Sequence, residues 1–355
     1  MRARLRRARF PPGGFRETLY RSIRMLIPLY IVLALVLLIG AFMSAKTLQV
    51  NAGRTRVNQE LASTRIQELT PLGSVAKLSI LPLVDFYAAN PDLKTEAGVS
   101  YLVSADDTNI LLDVGFNAKK TDPSPLMHNM EKLGISPQDL DMIFISHAHL
   151  DHLGGMADQK HKTFSFSRSA VDVPEIPAYT PVALTPSERN PKPIPHVINE
   201  PAVLKPGIAS IGPIPRFLFL MGYTLEHALA VNVTGKGIVL IIGCGHQTIE
   251  RIIERAQALF TEPIHAVIGG LHYPVHGGRI KLGPINIQRI VGSDRPPWKG
   301  IREADVQSAI NAIKRVSPAV VSLSPHDSSD WTIDQFRQAF GDRYVDLEVG
   351  KEIRI

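Results

Sequence analysis

MIFISHAHLDHLGG, residues 142–155, decides the reading of this chain. Met142–Ile145 is an apolar run of the kind that forms a strand buried on both faces. His147 and His149 follow two residues apart, so in an extended segment both rings face one side. Asp151 and His152 come where the chain can turn into a helix, and they offer donors at a second point. Gly154 and Gly155 let the backbone pass close to whatever those side chains hold. Imidazole and carboxylate together suit zinc, or manganese or iron at the more oxygen-rich end. A second ion about 3.5–4 Å from the first is the usual hydrolytic arrangement.

Three further apolar runs end in small residues and then a histidine. Gly237–Ile242 leads through Gly-Cys-Gly to His246, Ala266–Ile268 through Gly-Gly-Leu to His272, and Ala319–Leu323 through Ser-Pro to His326. If these strands share a sheet edge, four imidazoles converge on one mouth, where α/β folds generally host chemistry. His128, His161, His196, His227 and His265 read as structural or exposed, and His276 as loop.

Short apolar runs bounded by turn residues recur from Lys77 onwards, including Leu78–Val84, Ser100–Ser104, Asn109–Val114 and Ala228–Val233. Helical spacing appears between them in Pro125–Leu133, Gln247–Leu259, Ala304–Val316 and Ile333–Phe340. The mixture predicts one layered α/β domain over 77–355, with helices covering a sheet sandwich. Pro174–Pro215 holds eleven prolines, and Ile280–Gly300 is also proline-interrupted. Both are long for connections and read either as a substrate-contacting lid or as a passive surface insertion.

Charge is unevenly distributed. Residues 1–24 hold eight arginines and one glutamate, whereas the rest carries 31 Lys and Arg against 32 Asp and Glu. Basicity therefore belongs to a terminal tail and not to a nucleic-acid-binding face, and no nucleic-acid partner is expected. Met25–Ala45 is 21 residues without a charge, about 30 Å as a helix, enough to cross a bilayer core. The arginines ahead of this transmembrane helix place the N-terminus in the cytoplasm, with residues 46–355 outside the cell membrane. A cleaved signal peptide is the alternative, for which Met43-Ser44-Ala45 is a poor cleavage site. Residues 46–76 read as a polar stalk with a weak helical pattern around Leu61, Ile66 and Leu69. Cys244 is the single cysteine, so no intramolecular disulfide can form.

The His-x-His-x-Asp-His string, after an apolar strand and before two glycines, resembles the signature of the metallo-β-lactamase superfamily. TEAGVS (95–100), ILLDVG (110–115), KLGI (132–135), GCGH (243–246), GGLH (269–272) and Val349-Gly350 occur in the order of one branch. That branch is named for the dihydropterin–ribofuranosylaminobenzene phosphate synthase, and many of its members are called metal-dependent hydrolases. The resemblance spans roughly residues 78–355. It implies an αββα sandwich, preceded here by the N-terminal helix, and two divalent metal ions. Zinc is the expected metal, with manganese or iron as alternatives.

Carried over, the pattern implies His147 and His149 at site one, Asp151 and His152 at site two, and His326 as the last site-two ligand. Most members bridge the metals with a strand-end aspartate, but Gly243-Cys244 stands there in this chain. His246 is then the candidate to complete site one, with a Cys244 thiolate as the alternative. His272 is expected to bind metal, contact substrate or protonate the leaving group. Asp113 either orients a ligand imidazole or caps a tight turn. Ala148, Leu150, Leu153 and Ala97 replace the glycine, tyrosine, threonine and histidine usual in the branch. They change the polarity around the metals without removing a ligand, which weakens the case for the synthase substrate. The expectation is a hydrolase using metal-activated water on a small-molecule ester, amide or phosphoester, with Asp151 and His272 as catalytic residues. A pterin-condensing transferase and a non-catalytic metal-binding domain are the alternatives.

Overall fold

The computed structural model describes residues 14–283 and 285–355. Residues 1–13, which hold most of the arginines of the basic tail, lie outside them. The chain divides into two compact units at Asn51/Ala52. A single helix, Gly14–Ser63, runs through the first unit and into the second, with Pro28 inside it. Part of that helix is long and apolar enough to cross a membrane. Its large side chains stand exposed, Leu37 at 64% and Leu38 at 67%, which is not a surface that water alone tolerates well.

The second unit is a two-sheet sandwich. One sheet has seven strands, in the order Ile353–Arg354, Leu78–Val84, Ser100–Ala105, Thr108–Leu112, Met142–Phe144, Pro177–Thr180 and Ile194–Val197. The other has six, in the order Val320–Leu323, Ile264–Gly269, Gly237–Ile242, Leu229–Val233, Ile208–Ser210 and Ala202–Lys205. Strand periodicity builds both faces at once. In Gly237–Ile242, Val239 and Ile241 enter the core between the sheets, while Ile238, Leu240 and Ile242 pack on the helix side.

Helices Ile249–Leu259, Glu303–Val316 and Asp330–Phe340 cover that outer face through Ile252, Ala256, Leu259, Ile310, Ile313 and Phe336. Their three- and four-residue spacing makes one apolar stripe per helix. Pro125–Lys132 covers the other sheet, with Leu126 and Met130 set against Leu83, Leu111 and Ile143. Each of these leucine, isoleucine, methionine and phenylalanine side chains stabilises the fold by roughly 1.5–3 kcal/mol. The layers are thus α, β, β, α, as expected.

Two expectations need refinement. The four histidine-bearing strands do not share one sheet edge: Met142–Phe144 lies in the seven-stranded sheet, and the other three lie in parallel in the six-stranded sheet. Their C-terminal ends converge because facing sheets open at the same end of the sandwich. The segment read as a stalk is helical through Ser63, and from Ala52 it belongs to the compact unit. Leu61, Ile66, Leu69 and Leu72 pack on the helix-side core, and Val75 enters the inter-sheet core. The Leu69 amide donates to the Leu259 carbonyl at 2.9 Å.

The proline-rich insertions also separate. Pro177–Thr180, Ile194–Val197, Ala202–Lys205 and Ile208–Ser210 extend the sheet edges, so much of 174–215 is scaffold. Ile280, Ile287, Gln288 and Val291 instead line a cavity beside the histidines.

The packing of residues 61–75 predicts a truncation effect. A chain starting at residue 77 loses about 3–5 kcal/mol of apolar burial relative to one starting at residue 52. Its melting temperature is expected to fall by about 5–15 °C in a calorimetric scan; equal melting would contradict this packing.

Candidate metal centre

The strand Met142–Phe144 leads through Ile145 and Ser146 to His147, which makes a backbone bridge to Glu226. His149 is still extended, at φ −97° and ψ 157°, and caps the short helix Leu150–Leu153 that carries Asp151 and His152. Gly154 ends that helix at φ +94°, where a Cβ would lie 2.4 Å from the Ser165 carbonyl oxygen. Only glycine fits there.

The donor atoms gather in two adjoining sets. His147 Nε2 lies 2.9 Å from His149 Nδ1, which lies 3.2 Å from His246 Nε2. In the second set, Cys244 Sγ lies 3.0 Å from His152 Nε2 and 3.1 Å from His326 Nε2, with Asp151 Oδ2 3.5 Å from His152 Nε2. Cys244, His246 and His272 form a third grouping that touches both. Four ligands around a zinc ion at ~2.0–2.3 Å stand roughly 3.3–3.7 Å apart by tetrahedral geometry. The observed separations of 2.9–3.5 Å lie at and just below that spacing, and the donor set of imidazole, thiol and carboxylate suits a divalent cation. Two buried ring nitrogens, His246 Nδ1 and His272 Nδ1, have no hydrogen-bond partner. All six histidines expected at or beside the site, and Asp151, are therefore brought together.

Burial governs the charge state of these rings. It pushes His149 and His272 down to about 4, and holds His147, His246 and His326 well below the usual imidazole range, with neighbouring imidazoles adding to the effect. Neutral rings keep a lone pair for a cation. His152 is the exception, because Asp113 and Asp151 outweigh burial and raise it. Burial alone would raise Asp151, but the His152, His326 and His149 rings outweigh it and hold the carboxyl below its ordinary value. Burial and nearby carboxylates push the Cys244 thiol up.

A surrounding layer fixes the donors. Asp113 Oδ2 takes His152 Nδ1 at 2.6 Å and the Ser146 hydroxyl at 2.7 Å, and Ser146 Oγ lies 3.0 Å from His147 Nδ1. Asp113 thus orients a ring and does not merely close a turn. The far side repeats the device: Ser324 Oγ lies 2.6 Å from His326 Nδ1 and donates to Asp85 at 2.6 Å, while Tyr101 donates to the same carboxylate oxygen at 2.9 Å. Glu226 accepts the backbone amides of Cys244, Gly245 and His246 at 3.1, 2.7 and 2.9 Å, pinning the turn that presents two donors. Arg216 donates to the His246 carbonyl and pairs with Asp294 at 3.0 Å. Sequence reasoning missed Asp85, Glu226, Ser324 and Arg216; the only local hint is a serine next to or two before a strand-end histidine.

A family profile for the metallo-beta-lactamase superfamily matches residues 93–282, more than half of the chain. The chain belongs to the metallo-β-lactamase superfamily. Within it, the chain is 27% identical over 237 residues to the 7,8-dihydropterin-6-methyl-4-(beta-D-ribofuranosyl)-aminobenzene-5'-phosphate synthase of Methanocaldococcus jannaschii, covering 58% of this chain and 80% of that relative. The solved structure of a metal-dependent hydrolase of the beta-lactamase superfamily superposes with a TM-score of 0.51 at 20% identity, covering 78% of this chain and 99% of the other. That likeness is one of fold. A metallo-β-lactamase fold implies divalent metal binding, and the clustered donors lie where such a fold gathers its strand ends.

Two substitutions test the surrounding layer. Asp113→Asn removes the charged acceptor behind His152, and zinc affinity measured by competition with a chromogenic chelator is expected to fall about 10–100-fold. Glu226→Ala leaves three amides without their acceptor, and urea unfolding is expected to show a loss of about 2–4 kcal/mol. Unchanged zinc affinity in the first, or unchanged stability in the second, would contradict these roles.

Proposed function

We propose that the chain is a membrane-anchored, metal-dependent hydrolase of a small-molecule ester, amide or phosphoester. The observation that supports it most is the meeting of His147, His149 and His246 with Asp151, His152, Cys244 and His326 in two adjoining donor sets. In this reading the three histidines of the first set hold one divalent cation. Asp151, His152 and His326 would hold the second, with the Cys244 sulfur available to it as a further donor. Zinc matches imidazole and thiolate donors best.

When bound, such ions lower the pKa of water towards neutrality and stabilise the negative charge that develops on the attacked group. The chain's own residues do the rest. His272 Nε2 bonds the Gln288 carbonyl at 2.9 Å, which fixes that nitrogen as the N–H side. Nδ1, which has no hydrogen-bond partner, then carries the lone pair, and the ring is grouped with Cys244 and His246. It accepts a proton as water attacks and returns it to the leaving group. Asp151, kept ionised, accepts a hydrogen bond from the incoming water and orients it. The Cys244 sulfur loses its proton only beside a cation, since burial alone opposes the thiolate. In this reading Met25–Ala45 is the membrane anchor, the arginines before it stay cytoplasmic, and the hydrolytic unit faces away from the cytoplasm.

A pterin-condensing transferase is the second reading, favoured by the 27% identical relative. Tight binding of a reduced pterin would favour it.

Elemental analysis of the full-length protein tests the first reading. About two metals per chain are expected, falling by about one in His149→Ala. Metal-dependent turnover of chromogenic esters, phosphodiesters or lactams is expected to drop at least 100-fold in that variant. Equal metal content in parent and variant would contradict the ligand assignment.

A further inference from the structure

Directly over the donor cluster lies a cavity of about 700 Å³, within the range that takes a small-molecule substrate. Its floor is polar, with His149, Asp151, Cys244, His246 and His272. Its walls are mostly apolar: Phe116, Met156, Met221, Ile280, Ile287 and Val291 surround that floor, with Gln159 and Gln288 as uncharged polar members. Met156 and Met221 stand at the mouth, 64% and 38% exposed, while Ile287 and Val291 are half-buried. Lys160 is the one basic side chain of the wall.

We infer that the substrate is an aliphatic acyl ester, whose carbonyl sits over the metal-binding floor and whose chain lies against Phe116, Met221, Ile287 and Val291. This rests on the hydrolase reading above and narrows it. Methionine and branched aliphatic walls adapt to a flexible chain. A planar pterin or nucleobase needs flat aromatic faces to stack on, and Phe116 is the single aromatic carbocycle of the wall. Apart from the cations its floor would hold, the cavity offers a polyanion only Lys160 among the described lining residues, so its walls have little with which to pair further negative charge. In the reaction, the oxygen of water bonds to the acyl carbon and the C–O bond to the alcohol breaks. One proton leaves on the alcohol, and the other is released as the acid ionises to a carboxylate.

Carboxylate products give a readout that does not depend on turnover. Zinc-loaded full-length protein in lipid nanodiscs is titrated calorimetrically with butyrate, hexanoate and octanoate, against empty nanodiscs. Burial of each added methylene is expected to tighten binding about three- to fourfold. From butyrate to octanoate, four methylenes, the gain is then about 80- to 250-fold. Ile287→Asp, and separately Met221→Glu at the mouth, are expected to reduce that gain to under about threefold with zinc content unchanged. Parallel kcat/KM values for p-nitrophenyl acetate and octanoate are expected to rise in the same direction.

A flat carboxylate series in the zinc-loaded parent overturns the acyl-chain assignment, and if acetyl ester is still cleaved the hydrolase reading survives. A steep carboxylate series without cleavage of any ester supports the acyl-chain pocket but overturns the ester assignment, and the hydrolase reading is contradicted as well if amides and phosphoesters are also left intact. A steep series that neither variant changes also overturns the assignment, because the chain would then lie elsewhere.

Discussion

Six imidazoles, a thiol and a carboxylate share one largely buried volume in this fold, and the rest of the molecule is arranged around that crowding. Uncompensated, such a cluster is unfavourable: buried polar atoms lose water, and protonating several rings together would set like charges side by side. The structure answers by keeping most of the rings neutral and by giving the outer nitrogens of His147, His152, His272 and His326 fixed partners, so that their other nitrogens are left for a cation or a proton. A divalent cation converts that crowding from a cost into a bonding arrangement. This is why the donor separations, close to the edges of a tetrahedron, carry more weight than the count of histidines.

Holding the cluster requires supports on every side. The Ser146–Asp113 and Ser324–Asp85 pairs back rings from the two facing sheets in the same manner, a serine hydroxyl relaying a buried carboxylate to a ring nitrogen. Glu226 does the corresponding work for backbone, fixing the turn that carries both Cys244 and His246. Because these supports come from separate strands, the sandwich itself is the jig. Loss of packing between the sheets would loosen the site even with every ligand intact.

Much of this was readable in sequence because it depends on local periodicity. Alternation and apolar runs located the strands that matter, and the histidines after Met142–Phe144, Gly237–Ile242, Ile264–Gly269 and Val320–Leu323 announced their own positions. What stayed hidden depends on distant chain. Asp85 meets Ser324 across 239 residues, and nothing near either residue signals the pairing. The choice between Cys244 and His246 was open for the same reason: two residues apart in a tight turn, they reach different neighbours, which only the folded turn reveals. Residues 46–76 read as a stalk because Leu61, Ile66, Leu69 and Leu72 are too sparse to mark a core face until the surface that receives them exists.

The proposed chemistry depends on one cation binding in each of the two donor sets. An anomalous difference map from zinc-loaded crystals, collected across the zinc edge, reads this most directly. Two peaks about 3.5–4 Å apart are expected, one among His147, His149 and His246, the other among Asp151, His152 and His326, with Cys244 Sγ within bonding distance of at least one. No peak at this cluster in zinc-saturated protein, or peaks only at exposed histidines such as His276, would contradict it.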